Sequence, residues 1–262
     1  MPLDQQQRPF IDFVRSLRAR DVTTYLSIGH KLGAAATPEI RELLGDDVFA
    51  SNTWLNADHY NDALHAAEAL AADAWGADHT FYLVDGSSSG NHALFLAALR
   101  PGDEVIVSRD LHWSMLVALI MTGAVPRYVA PRLHPELDIA FGIAAEDVAA
   151  ALTSYPAAKL VAIVSPSFCG VASDLEAIAA VAHARDVPLY VDEAWGAHFH
   201  FHPDLPASAM ASGADAAVAS VHKLLPALSQ GSVLHVRGSR LDLHRINQTV
   251  HMTQTTSPLL PI

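Results

Sequence analysis

From about residue 75 onward, short runs that are apolar throughout alternate with alanine-rich stretches of helical period. The runs at 80–84, 104–107, 127–130, 160–164, 188–191 and 216–219 predict strands. Between them, 91–99, 112–122, 145–152 and 174–185 predict helices. Strands with no polar face must be covered on both sides, so the pattern predicts an α/β chain built on a mostly parallel sheet between helices. Right-handed crossovers then put ligand sites at the carboxyl ends of the strands. Upstream, 58–75 reads as a helix opened by Asp58 and stopped by Gly76. Segment 9–20 reads as another, with Phe10, Phe13, Val14 and Leu17 on one face. No repeat, low-complexity segment or linker interrupts the chain, and its last residues, 255–262, carry neither polar tail nor capping signal, as if cut within an element.

Composition narrows the class. Of 262 residues, 51% are hydrophobic and 17% charged, which excludes a disordered chain. The net charge of -12, without a Lys/Arg cluster, argues against nucleic acid or an anionic membrane as partner. The apolar stretch at 116–125 stops well short of a membrane span, and residues 1–10 lack the basic-then-apolar order of a signal peptide. One cysteine, Cys169, excludes an internal disulfide framework and fits a reducing compartment, so a cytoplasmic location is expected. Cys169 reads as a buried small residue, and Met115 and Met121 as core fillers.

Four groups of polar residues follow strands. Asp85-Gly86-Ser87-Ser88-Ser89-Gly90-Asn91 lies between a strand and a helix, where glycines and small hydroxyl residues expose backbone N–H groups to a phosphate; as a pattern it is equally an ordinary turn. Asp192, at the end of the 188–191 strand, can pair with a pyridinium nitrogen or simply cap a helix. Lys223 follows an apolar strand and precedes Leu224 and Leu225, a setting that lowers an amine pKa and makes it a better nucleophile toward an aldehyde. His112 can stack on a flat ring, carry a proton or serve only as a helix N-terminal residue. The combination is far more specific than any member.

These residues carry a resemblance. Gly29-His30-Lys31, Gly86-Ser87-Ser88-Ser89-Gly90-Asn91-His92, Pro101-Gly102-Asp103-Glu104-Val105-Ile106-Val107, Asp192-Glu193-Ala194-Trp195-Gly196-Ala197-His198 and Ser220-Val221-His222-Lys223 through Ala227-Leu228-Ser229-Gln230 resemble the large domain of fold-type I pyridoxal-phosphate (PLP) enzymes, in the ornithine/lysine/arginine decarboxylase group. The match runs from about residue 25 to the end. It implies a seven-stranded, mostly parallel sheet, with 1–50 an N-terminal segment and 51–262 the PLP-binding domain, and a smaller C-terminal domain that this chain lacks. It also implies that Lys223 holds pyridoxal 5'-phosphate as a Schiff base, that Asp192 pairs with its pyridine nitrogen, and that His112 stacks on one ring face with Ala194 against the other. Ser87, Ser88, Ser89, Ser220 and His222 would hold the phosphate. The active site would lie in a homodimer interface, with 255–257 reaching the partner's phosphate.

The chain departs from the family pattern at Ile28 and Leu32, at 51–56 and at Trp113, where proline, glycine, an Asp-Pro-Thr-Gly-like stretch and lysine are usual. The implied activity is decarboxylation of a basic amino acid, with Glu193 and Asp58 as candidates to meet the distal cation. An aminotransferase or lyase on the same scaffold, or a non-catalytic PLP-binding subunit, are the alternatives. The run His198-Phe199-His200-Phe201-His202 would place three imidazoles on one face if it were a strand, yet no carboxylate or cysteine stands at ligand spacing and no metal is expected.

Overall fold

Apolar runs that cannot tolerate water on either face end up side by side. The computed structural model describes residues 2–19, 29–31, 33–45 and 57–255. In it seven strands, β1 (His79–Leu83), β2 (Glu104–Ser108), β3 (Val125–Val129), β4 (Leu160–Val164), β5 (Leu189–Asp192), β6 (Ala216–Ala219) and β7 (Ser232–Val236), form one sheet in the order β1-β7-β6-β5-β4-β2-β3. Only β7 is antiparallel to its neighbours. The carboxyl ends of the other six therefore share one edge of the sheet with the start of β7.

Helices cover both faces: α1 (Pro9–Arg18), α2 (Arg41–Gly45), α3 (Ala57–Trp75), α4 (Gly86–Ala98), α5 (Trp113–Thr122), α6 (Ala145–Ser154), α7 (Leu175–His183), α8 (Val221–Leu224) and α9 (Leu243–Thr253). Strand alternation sorts the core between them. Val105, Val107, Leu160, Ala162, Tyr190 and Val218 pack with residues of α4, α5 and α9. Ile106, Val161, Ile163, Leu189, Val191 and Ala217 pack with α6 and α7 on the other face. Each such valine, leucine or isoleucine side chain, taken fully out of water, contributes roughly 1.5–3 kcal/mol. A third cluster fastens α1 to α3, where Phe10 meets Tyr60 edge to face at 5.4 Å.

The hydrophobic pattern did not locate β7 or the helices α2, α8 and α9. β7 follows β6 with only the four-residue α8 between them, so it breaks the strand–helix rhythm, and its partner strands run the other way. The helix α9 lies beyond it and packs on α4. Residues Phe199–Phe201 form a 3-10 turn and no strand, so the imidazoles of the histidine run go to separate partners: His200 bonds Ser208 at 3.1 Å, and His202 accepts from the backbone N–H of Asp204 at 3.2 Å. Two expectations, for Cys169 and Met121, are corrected. Cys169 is exposed, because the 167–170 turn, closed by Gly170 N–H to Ser167 O, lifts it off the end of β4. Met115 is in the core, whereas Met121 is 49% exposed on the outer side of α5. Among the described residues no helix is long and apolar enough to cross a membrane.

One buried polar pair joins the edge strand to the sheet. His235 of β7 is wholly buried, and its Nδ1 shares a 2.8 Å hydrogen bond with Thr80 of β1, its register partner. Burial, with His200 adding to it, pushes the His235 imidazole down from 6.5 to about 3. The folded state thus prefers neutral His235, and stability present above pH 6.5 is lost as pH falls toward about 3. A His235→Gln chain, whose amide can still bond Thr80 but does not titrate, is expected to lose less stability over that interval in chemical denaturation. Parallel losses in the two proteins would contradict the assignment.

Candidate cofactor site at the carboxyl edge

Asp192 ends β5 at 2% exposure, on the same face as Tyr190 and turned toward α4. Its Oδ2 accepts from Asn91 Nδ2 at 2.9 Å and its Oδ1 from the backbone N–H of Ala194 at 3.1 Å. Burial pushes the Asp192 carboxyl above its ordinary value, opposed by those two bonds and by the charges of His112 and Lys223. Glu193, one residue on, faces the opposite side of the sheet, where it is 1% exposed and accepts from the N–H of Ala209 at 2.8 Å; burial raises its carboxyl to about 8. That removes Glu193 as a group for a distal cation: strand alternation sends it into the far core. The side chain of Asp58, the other candidate, lies outside the described residues, as do 20–28, Leu32, 46–56, Thr256 and Ser257.

Lys223 lies in α8, just after β6, and is half-buried, with Nζ 4.7 Å from the centre of the Trp195 ring. Phe168 in turn meets Trp195 edge to face at 5.9 Å. Burial lowers the Lys223 amine pKa, with Asp192 acting against it. A larger fraction of neutral amine is what nucleophilic attack on an aldehyde requires.

The serine residues meet where the sheet edge meets the α4 N-terminus. Ser220 Oγ donates to Ser87 Oγ at 2.9 Å, tying the β6–α8 junction to the start of α4, and both are buried. Gly86 begins α4 at φ +73°, a left-handed conformation that suits glycine, with open space where a Cβ would stand. Asp85, at the N-cap, makes no side-chain cap bond; its Oδ2 accepts instead from the N–H of Thr255 at 2.9 Å. The N–H of Gly86 donates to Gln230 O at 3.0 Å, and no side chain caps the N–H groups that follow it, as an anion site at a helix N-terminus requires. Ser88 is half-buried, and Ser89 donates its hydroxyl to Gly86 O at 2.8 Å. His222 Nδ1 donates to Gly231 O at 2.9 Å, which leaves Nε2 as its remaining polar atom. His112 is exposed and caps α5, accepting from Ser114 N–H at 3.2 Å, and Ala194 is buried beside Asp192.

Three participants were missed by the sequence reading: Asn91, Ser114 and Tyr190. Asn91 Nδ2 also donates to Ser114 Oγ at 2.8 Å, Tyr190 OH donates to Asn91 Oδ1 at 2.6 Å, and Ser114 Oγ lies 2.7 Å from His112 Nδ1. The available signal was Asn91 itself, a polar residue opening the apolar stretch of a helix inside a matched motif.

The fold is that of a fold-type I PLP enzyme. Over residues 8–262 the chain matches the family model described as "Orn/Lys/Arg decarboxylase, major domain", and it belongs to that family. It is 39% identical over 262 residues to an arginine decarboxylase of Bacillus subtilis, covering 97% of this chain and 53% of the relative. The solved constitutive lysine decarboxylase of Escherichia coli superposes with a TM-score of 0.78 at 26% identity, over 97% of this chain and 39% of that one. The pyridoxal-5'-phosphate dependent protein YhfS of Escherichia coli shares the fold, with a TM-score of 0.58 at 15% identity over 76% of this chain and 49% of that one. The chain spans about half the length of the curated relative. Pyridoxal 5'-phosphate is the cofactor of this class, and the donor set fits it: a buried carboxylate, a half-buried amine, paired serine hydroxyls and an uncapped helix N-terminus.

The cradle depends on α4 lying close to the sheet. A Cβ on Gly90 would stand 2.7 Å from both Leu83 Cδ1 of β1 and Val218 Cγ2 of β6. Gly90→Ala is therefore expected to destabilise the chain by about 1–3 kcal/mol in urea denaturation. Unchanged stability would contradict this close seating.

Proposed function

We propose that this chain is the cofactor-binding part of a decarboxylase acting on a basic amino acid, ornithine, lysine or arginine, with Lys223 as the Schiff-base lysine. The observation that carries the reading is that Asp192 and Lys223 stand at the ends of adjacent strands of one sheet edge, close enough for each to bias the other's ionisation. The family match and the curated arginine decarboxylase relative support the reaction class. The division into a segment 1–50 and a PLP-binding domain 51–262, a cytoplasmic location and a homodimer with shared sites belong to the same proposal.

In this reading Asp192 presents its carboxylate to the pyridine nitrogen, and Ala194 and Asn91 hold that carboxylate in place. Ser87, Ser88, Ser220 and His222, with the N–H groups of α4, hold the phosphate. Ser89 supports the cradle through its bond to Gly86. His112, whose ring is exposed, and Ala194 would flank the cofactor ring. Lys223 supplies the amine that anchors the aldehyde. When bound, the cofactor supplies an electron sink for the pair left on the α-carbon as carbon dioxide departs. The ring of Trp195 lies beside Lys223 Nζ and confines where that amine can reach.

Two measurements check the proposal. The purified chain mixed with PLP is expected to gain a visible absorbance band that is absent in Lys223→Ala; a featureless spectrum would overturn the assignment of the cofactor amine. With carboxyl-labelled arginine, lysine and ornithine supplied in turn, labelled carbon dioxide and the matching amine are expected from one of the three. Keto acid without amine would sink decarboxylation.

A further inference from the structure

Asn91 is fully buried, and each polar atom of its side chain is engaged. The chemistry of an amide fixes the direction of these bonds. An NH₂ group only donates, so Nδ2 gives one hydrogen to Asp192 Oδ2 at 2.9 Å and the other to Ser114 Oγ at 2.8 Å. The carbonyl Oδ1 accepts from Tyr190 OH at 2.6 Å. Turning the amide over would set its carbonyl against an ionised carboxylate. Ser114 Oγ accepts from Asn91 and stands 2.7 Å from His112 Nδ1. That nitrogen accepts from Ser114 N–H at 3.2 Å, so in the neutral ring it carries no hydrogen, the Ser114 hydroxyl donates to it, and Nε2 carries the ring's proton.

We infer that Asn91 is a positioning residue that couples two separate groups: it holds Asp192 ionised and, through Ser114, fixes the tautomer and orientation of His112. The hydrogens run one way, from Tyr190 to Asn91, from Asn91 to Asp192 and Ser114, and from Ser114 to His112. Tyr190 stays a donor throughout, because burial beside Asp192 pushes its hydroxyl well above the ordinary tyrosine range. The groups that face Asp192 are Asn91 from α4, the Ala194 N–H from its own loop, Tyr190 from its own strand, His112 before α5 and Lys223 from α8. Of these, only Asn91 also bonds the residue that orients His112. In the functional reading, on which this inference rests for its consequence, the carboxylate under the pyridine nitrogen and the imidazole on the ring face are then set by one buried amide.

The test is made on the full chain without cofactor, so that it stands apart from cofactor binding. Nitrogen-15 NMR is expected to show His112 Nδ1 unprotonated and Nε2 protonated, and carbon-13 NMR follows the titration of Asp192. Asn91→Leu, close in volume but unable to donate, is expected to raise the proton affinity of Asp192 by about tenfold or more, the worth of a lost hydrogen bond to a charged group. Ser114→Ala removes the 2.7 Å hydroxyl donor to His112 Nδ1 and leaves only the 3.2 Å backbone N–H, so it is expected to mix the His112 tautomers in part while leaving the Asp192 titration in place. Should Asn91→Leu fail to fold by circular dichroism, Tyr190→Phe carries the test, since it removes the donor that fixes the amide and shifts Asp192 in the same direction by less. An unmoved Asp192 titration in the folded variant, or an unmixed His112 tautomer in Ser114→Ala, would overturn the coupling. Adding PLP to the wild-type sample separates the two ideas: no binding there defeats the functional reading, while the NMR result still decides the network.

Discussion

A carboxylate held out of water at the end of a central strand is the constraint around which this site is built. An isolated ionised group in such a place costs several kcal/mol, so Asp192 can stay charged only if its surroundings replace the lost hydration. Two donors do so, one from α4 and one from its own loop. The helix must therefore lie close over the strand ends, and Gly90, which has no room for a side chain, lets it. The same close seating carries the uncapped N–H groups of α4 and Ser87 to the junction where Ser220 waits. A phosphate cradle and a buried acid thus have one structural cause.

The sheet follows from the same economy. β4, β5 and β6 are apolar on both faces because each lies between two layers of helix, and polar chemistry is pushed to the strand ends. Asp192 and Glu193 make the point by contrast. Adjacent in sequence, they face opposite sides: one ends beside Lys223 and His112, the other in the core near Ala209.

Much of this was legible in the chain. Apolar runs and alanine-rich stretches located six strands and the helices between them to within a few residues, because burial on both faces leaves no polar alternation to misread. β7 was not legible: its antiparallel course follows from tertiary pairing with β1 and β6, and its buried histidine weakens the apolar signal. Cys169 was misplaced because hydrophobicity says nothing about a turn that lifts the chain off a strand end. At the site, Lys223, Asp192, His112 and the serines stood out because their chemistry is distinctive after a strand. Asn91, Ser114 and Tyr190 did not, since an amide, a hydroxyl and a phenol acquire a role only from the partners they meet across about 23 to 101 positions.

The central claim is that Lys223 is the amine that takes the cofactor's aldehyde. The chain contains three lysines, Lys31, Lys159 and Lys223, so the choice can be read directly. Borohydride reduction of the chain mixed with equimolar PLP, followed by proteolysis and mass spectrometry, fixes the cofactor to whichever lysine holds it. The pyridoxyl mass is expected on the peptide containing Lys223 and on neither of the other two. Label spread over all three, or concentrated on Lys31 or Lys159, would contradict it.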